Sequence, residues 1–253
     1  MNIYLKIPLT LVQNLTYSLF PGMRTIVEKY ITNSYWFGSS HVEYNQKQYI
    51  AFRSVINKFT NIENKTILEL GPGGSIGFGQ LCIKDGAKKY YAVDEGDHLG
   101  VTGDQHKEKI EFISIGQNSG YPLKDDSIDI IYSCAVLEHV HDLELCFREM
   151  MRVLKKGGFM NHQVDLRDHL IDNENLMFLK FPEFLFKLLC GKTGVYVNRK
   201  RYSNYLSLFD NHRLEIIKMG SIMRYKGDLD NNLLNTYTRD DLTILSFNVV
   251  LRK

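Results

Sequence analysis

Short apolar runs alternate with helix-length amphipathic segments through the middle of the chain. An amphipathic helix is predicted over 45–59, and helices over 76–86 and 142–154 separate the apolar runs. The predicted strands are Thr66–Leu70, Tyr90–Asp94, Ile110–Ile115, Ile128–Ser133 and Phe159–Leu166. Because strands that alternate with helices pair in parallel, the pattern predicts a Rossmann-like, doubly wound α/β sheet. Lysines and glycines over 155–158 are predicted to cap the last of these helices.

Both ends of the chain depart from this rhythm. The uncharged segment 7–23 predicts a helix packed on the domain, because polar residues interrupt it too often for a leader or a membrane span. Two strands over 214–219 and 243–251 predict an antiparallel hairpin that brings the sheet to seven strands. We expect an N-terminal helical extension over 1–60 and one domain over 61–253. That domain carries a helical lid insertion at about 171–202, which Pro182 divides.

Composition narrows the class of protein. The 253 residues carry a net charge of +2, which gives no argument for nucleic acid as the partner. The four cysteines are scattered without the spacing of a zinc site or a disulfide framework, which favours a reducing, cytoplasmic compartment. No metal site is predicted, no transmembrane segment is expected, and peripheral membrane contact and oligomeric state are left open.

A glycine-rich turn after the first strand is the main candidate for ligand binding. The run 66–75 ends an apolar strand at the acidic Glu69 and continues into Gly71, Gly73 and Gly74. Backbone without side chains can touch a nucleotide-like ligand, and Asp94, at the end of the next strand, suits ribose hydroxyls. NAD and S-adenosylmethionine both fit these residues. Ile76 stands where the dinucleotide fingerprint needs a small residue, which disfavours NAD.

The order of four motifs resembles the class I S-adenosylmethionine-dependent methyltransferases that act on small molecules, sugars and lipids. Besides the turn and Asp94, the matching segments are 122–129, 137–140 and 152–158, and the resemblance covers roughly 45–166 and the terminal hairpin. It implies S-adenosyl-L-methionine as cofactor and S-adenosyl-L-homocysteine as product. The residues that it places at the cofactor are Glu69, Gly71, Gly73, Gly74, Ser75, Asp94, Gln117, Asn118 and Cys134. Gln117 stands where family members usually carry an aspartate near adenine.

Candidate acceptor-side residues follow the fourth and fifth strands. Methylation of a hydroxyl requires a general base, and histidine suits that role. The predicted catalytic residues are His139, His169 and Asp165, and the predicted substrate-binding residues are His162, Arg167, Tyr196, Arg201 and Tyr202. The alternatives are a His139 that only shapes its loop, a metal site at Asp165 and His169, and a solvated surface for the basic run 198–202. Trp36, His41 and Tyr44 are predicted either to touch the ligands or to anchor an N-terminal arm.

The sequence thus predicts methyl transfer from S-adenosylmethionine to a small-molecule acceptor. A hydroxyl of a sugar, glycolipid or secondary metabolite is the preferred acceptor group. The alternatives are an NAD(P)-dependent oxidoreductase and a non-catalytic scaffold of the same fold. A nucleic-acid methyltransferase is disfavoured because the chain lacks an Asn/Asp-Pro-Pro-Tyr motif.

Overall fold

Seven strands form one sheet in the computed structural model, which describes residues 3–20, 23, 42–95, 108–169, 176–190 and 196–253. The strands are β1 (Thr66–Leu70), β2 (Lys89–Glu95), β3 (Ile110–Ile115), β4 (Ile128–Cys134), β5 (Leu154–Asp165), β6 (Glu215–Arg224) and β7 (Ile244–Arg252). Their order is β3-β2-β1-β4-β5-β7-β6. The first five pair in parallel. The predicted seven-stranded, mostly parallel sheet is confirmed.

The last strand runs against the others. Lys253 N donates to Gly158 O at 3.1 Å, and Leu166 N donates to Leu245 O at 2.7 Å, so β7 runs antiparallel to β5. The predicted antiparallel C-terminal strands are therefore present, although two short helices lie between them. Helices α1 to α8 are Ile3–Leu19, Val42–Ile56, Gly77–Lys84, Leu143–Val153, Glu183–Cys190, Tyr202–Asn211, Asn231–Leu234 and Arg239–Thr243, and a 3-10 helix spans Met177–Lys180.

The segment 155–158 corrects one prediction, because it belongs to β5 and does not cap α4. Helix α4 ends at Val153 and the strand begins at Leu154 with no loop between them. Gly157 N donates to the carbonyl of Lys253 at 2.9 Å, so pairing with the end of the chain draws this segment into the sheet. Gly157 has φ +75°, a conformation that glycine adopts without strain.

The chain divides into two compact units. The larger unit comprises Tyr35–Val164, Leu206–Gly220 and Asn248–Lys253. Its core contains a cluster of aromatic rings, in which Phe78 stacks on Tyr132 with centroids 4.5 Å apart, and Phe52 packs edge-on against both. This cluster packs α2 and α3 against the sheet beneath the glycine turn.

The smaller unit comprises Met1–Ser34, Asp165–Tyr205 and Ser221–Phe247. Its core contains apolar side chains from the 3-10 helix, α5, α7, α8 and the start of β7. Ile7 and Leu11 of α1 pack against that core, as predicted for an N-terminal helix. Pro182 separates the 3-10 helix from α5, which confirms the predicted division of the insertion. Among the described residues, no helix is long and apolar enough to cross a bilayer.

Candidate active site

The turn after β1 has a backbone that requires glycine. Gly71 has φ +62° and Gly73 has φ +65°. A Cβ atom added to Gly71 would lie 2.5 Å from Cγ2 of Val136, a residue of the turn that follows β4. Gly71 N donates to Val93 O at 2.8 Å, which holds the turn against the end of β2. A side chain at Gly71 would therefore both strain the backbone and collide with a neighbour.

Asp94 lies beside the glycine turn, as the sequence predicts. Leu70 pairs with Val93 across the two strands, so the next residue of β2 reaches the start of the turn. Gly73 N donates to Oδ2 of Asp94 at 3.3 Å. A half-buried carboxylate and the main chain of the glycine turn thus meet at the carboxyl end of the parallel strands, where α/β sheets bind nucleotides.

Glu69 has a partner that the sequence did not reveal. Its side chain is 8% exposed, and the hydroxyl of Tyr90, on β2, donates to its Oε2. Burial raises the pKa of Glu69 to about 8, while the hydrogen bond from Tyr90 acts in the opposite direction. A Cβ atom on Gly79 would lie 2.2 Å from the Tyr90 ring, so this glycine lets α3 pack on that ring. Gly79 thus serves the close packing of a helix on the sheet.

Ser75 closes the turn onto two neighbours. Its Oγ accepts a hydrogen bond from Gly77 N at 3.0 Å and one from Nδ2 of Asn45, on α2, at 3.4 Å. Asn45 is buried although it occupies a helix that is mostly polar. The sequence signal for this contact is an amide side chain on the buried side of the helix, and the sequence analysis did not identify it.

The remaining predicted cofactor residues lie at the ends of β3 and β4. Gln117 and Asn118 are exposed in a turn that Ser119 N closes by donating to Gly116 O at 3.1 Å. Asn118 has φ +56°, which asparagine tolerates better than most residues. Cys134 is the last residue of β4, and burial raises the pKa of its thiol to about 12. These side chains bring an amide edge and a neutral thiol to the same edge of the sheet.

His139 belongs to the turn that meets Gly71. Its main-chain N–H donates to Val136 O at 2.8 Å, and the ring is half-buried. Ala135 opens this turn with φ +54° and donates to Gln163 O at 3.0 Å. The turn that carries His139 is therefore held in place at Val136, the residue whose side chain packs against Gly71.

In the smaller unit, the carboxylate of Asp165 contacts the side chains of Arg167 and His169. Arg167 Nε lies 2.9 and 3.0 Å from the two carboxylate oxygens, and His169 Nε2 lies 3.5 Å from Oδ2. Burial would raise the pKa of Asp165, but the hydrogen bonds from His169 and Arg167 outweigh it and hold that pKa well below its usual range. Three predicted residues thus form one hydrogen-bonded group, with an ionised carboxylate at its centre.

The sequence matches a known family of protein domains. Residues 68–161 match the methyltransferase domain family, and this match includes the glycine turn, Asp94 and the turn after β4. Residues 68–161 form a methyltransferase domain of the class I, S-adenosylmethionine-dependent type.

Solved structures share the fold of this methyltransferase at low sequence identity. An S-adenosylmethionine-dependent methyltransferase from Mesorhizobium loti is 16% identical with a TM-score of 0.54, and the match covers 84% of this chain and 98% of that one. Phosphoethanolamine N-methyltransferase 2 of Haemonchus contortus, in complex with S-adenosylmethionine, is 14% identical with a TM-score of 0.59, over 91% and 59% of the two chains. The [4+2]-cyclase SpnF is 13% identical with a TM-score of 0.55, over 82% and 81%. The fold alone therefore does not fix the reaction.

The larger unit of the methyltransferase fits its cofactor, S-adenosylmethionine. Gly71, Gly73 and Gly74 leave main chain without side chains in the turn, and Asp94 supplies an acceptor for ribose hydroxyls. Gln117 and Asn118 offer amide donors and acceptors of the kind that adenine edges need. When bound, S-adenosylmethionine supplies an activated methyl group on a sulfonium whose leaving thioether is neutral. The protein must then align the acceptor atom with the methyl group and the sulfur.

Two predicted substrate contacts of the methyltransferase are buried inside the protein. His162 is fully buried, its Nδ1 lies 2.7 Å from Ser133 Oγ, and burial lowers its pKa to about 3. Arg201 is 1% exposed and donates to the carbonyls of Asp241 at 2.8 Å, Leu166 at 2.5 Å and Ile244 at 3.3 Å. Both placements argue against contact with substrate. The reason is that His162 packs against Phe147 of α4, while backbone carbonyls from three segments take up the donors of Arg201.

The two tyrosines that were predicted to bind substrate pack on aromatic rings of the protein itself. Tyr196 lies 6.5 Å from Phe186, and Tyr202 meets Phe247 edge-on at 5.4 Å between centroids. Helix α6 begins at Tyr202, and Ser203 donates to the carboxylate of Asp241 through its N–H and its hydroxyl. Trp36 and His41 lie outside the described residues. Tyr44 is described, on α2.

Proposed function

We propose that this methyltransferase methylates a hydroxyl oxygen of a small molecule such as a sugar, a glycolipid or a secondary metabolite. The observation that carries the proposal is the pairing of His169 with Asp165. A hydroxyl must lose its proton as its oxygen is methylated, and a histidine oriented by a carboxylate is the usual protein group for that task.

The geometry of the pair supports a defined division of roles. Asp165 faces Nε2 of His169, which favours the tautomer with the proton on Nε2 and the lone pair on Nδ1. Nδ1 is then the atom that takes the acceptor proton, and Asp165 stabilises the imidazolium that results. Arg167 keeps Asp165 ionised and in place through its guanidinium. Asp165 and Arg167 are thus positioning residues for His169.

The acceptor class and the domain limits belong to the same proposal. We assign 61–253 to the catalytic domain, 1–60 to an extension, and about 171–202 to an insertion that selects the acceptor. The support for this last role is the composition of the insertion, which is rich in Phe and Leu, although Phe178, Phe186 and Leu189 themselves pack in the core of the smaller unit. Insertions of this kind vary while the cofactor-binding part of a fold is retained.

The direct test is a donor-dependent assay with a panel of acceptors. Purified protein and S-adenosylmethionine are mixed with sugars, glycolipids, phenols and, as a separate arm, phosphorylated amines. Release of S-adenosylhomocysteine is measured, and mass spectrometry and NMR locate the new methyl group. We expect release only with a hydroxyl acceptor and a methyl group on oxygen. A methyl group on nitrogen or carbon would overturn the assignment, as would protein that binds the donor and releases no product with any hydroxyl.

A further inference from the structure

Helix α1 has two apolar faces, of which only one packs against the protein. Ile7 and Leu11 contact the core of the smaller unit, and Tyr17 is buried. Side chains spaced by three or four residues form the opposite face, and each is more than half exposed: Leu9, Val12, Leu15 and Leu19. A helix that is apolar on both sides is typical of one that is covered on both sides.

Helix α5 extends this exposed face. Asn14 of α1 donates from Nδ2 to the carbonyls of Leu188 and Leu189 at 2.8 Å each, so the two helices lie side by side. Phe184 and Leu188, one turn apart on α5, are 73% and 55% exposed. We name the apolar face as the side chains of Leu9, Val12, Leu15, Leu19, Phe184 and Leu188. An exposed patch of this kind marks an interaction surface.

The described charged side chains beside the apolar face carry a surplus of positive charge, with two cations to one anion. On α5, Lys187 is exposed between Phe184 and Leu188. The acidic residue of that helix, Glu183, pairs with Arg199 and lies 3.4 Å from Lys187, so two cations cover its charge.

We propose that the apolar face docks on an anionic lipid surface. Exposed Leu and Phe side chains with flanking basic residues match what interfacial helices present to phospholipid headgroups and acyl chains. A symmetric dimer through the same face would bring the cations of one copy against those of the other, which disfavours a second copy as the occupant. The inference concerns attachment, and it holds for any acceptor.

Vesicle flotation of the full chain tests the proposal. The probes are vesicles of phosphatidylcholine alone and of phosphatidylcholine mixed with phosphatidylglycerol. We expect the protein to float with the mixed vesicles and to be released by added salt, because attraction to headgroups is screened. Leu15→Glu, at a side chain that is 61% exposed, is expected to lower partition about tenfold or more. The matched control is Ile50→Glu on α2, at a side chain that is 67% exposed, and its partition should equal that of the wild type.

Each outcome decides for or against the lipid surface. Flotation that Leu15→Glu abolishes and Ile50→Glu preserves supports it. Wild-type protein that stays with neither vesicle type overturns it, as does flotation that both variants reduce equally. Light scattering that shows a dimer converted to a monomer by Leu15→Glu, without flotation, assigns the face to a second copy instead. S-adenosylmethionine affinity, measured on the same samples, should be unchanged in Leu15→Glu. A failure of lipid binding is thereby distinguished from a failure of the proposed function.

Discussion

Asp94 Oδ2 accepts a hydrogen bond of 3.3 Å from the main-chain amide of Gly73 and so joins the end of β2 to the turn after β1. The same carboxylate has two tasks, since it orders the turn and is also the group that suits ribose hydroxyls. Its removal should consequently affect cofactor affinity much more than folding.

Asp94→Ala is expected to weaken S-adenosylmethionine binding by about tenfold to a hundredfold, because hydrogen bonds to a charged group contribute about 1.5–3 kcal/mol each. Calorimetric titration measures the affinity, and thermal unfolding without cofactor should change little. The control is Glu95→Ala, which removes the same charge from the exposed neighbouring residue. Equal affinities for the wild type and Asp94→Ala would remove Asp94 from the cofactor site.

Gly71→Ala is expected to destabilise the protein more than Gly157→Ala. Both residues have positive φ, at +62° and +75°, so both alanines carry backbone strain of about 1–2 kcal/mol. Gly157 has no atom within 4 Å of an added Cβ atom, whereas Gly71 has Val136 at 2.5 Å. Overpacking should add about 1–3 kcal/mol at Gly71 alone.

Urea unfolding of the two glycine variants gives the comparison. Val136→Ala, combined with Gly71→Ala, should recover part of the loss, since it removes the colliding methyl groups and leaves the strain. Equal losses at the two glycines would show that Val136 does not restrict the turn.

Glu69 should make stability depend on pH. Its pKa is raised in the folded protein from 4.5 to about 8, so the stability that it contributes is fully present below pH 4.5 and is lost as the pH rises through about 8. The full difference is on the order of 5 kcal/mol. Glu69→Gln, which keeps a neutral hydrogen-bonding group, should flatten this dependence. Urea unfolding of both proteins at several pH values measures it, and parallel curves would contradict the raised pKa.

His169→Gln is expected to lower kcat by about 10²–10⁴, the usual contribution of a general base, with the donor affinity retained. Asp165→Asn should also lower kcat, because the amide leaves the tautomer of His169 unfixed. His141→Gln, at an exposed residue, is the control and should have wild-type turnover. If His139→Gln abolishes turnover while His169→Gln does not, the base lies in the turn after β4.

Arg201→Met is expected to cost about 3–5 kcal/mol of stability, since it leaves three buried carbonyls without their donor. Lys200→Met changes the exposed neighbour and should fall within about 0.5 kcal/mol of the wild type. Chemical unfolding gives both values. A loss of substrate affinity at full stability in Arg201→Met would restore the predicted role in substrate binding.

Local patterns predicted the sheet and the cofactor turn well, because their causes are local. Alternating apolar runs placed β1 and β3 with their observed ends, and adjacent glycines predicted the turn that follows β1. Contacts between distant parts of the chain were not predictable in this way. Tyr90 under Glu69 and Asn45 on Ser75 depend on register and helix docking, which a single sequence does not encode as a motif.

The errors share a physical origin in tertiary contacts that override local preference. Gly157 and its neighbours resemble a helix end, but pairing with Lys253 makes them part of a strand. Arg201 sits in a run of basic residues typical of a solvated surface. Backbone carbonyls from three other segments nevertheless take up its donors.

Within the described residues, the polypeptide passes between the two compact units after residues 164, 205, 220 and 247. Neither unit is therefore a contiguous fragment, and no single cut yields one of them intact. A cut at one of these junctions would fall inside β6, β7 or α6, or at the last residue of β5. The two units are accordingly open to change by substitution and loop exchange, but not by separation into fragments.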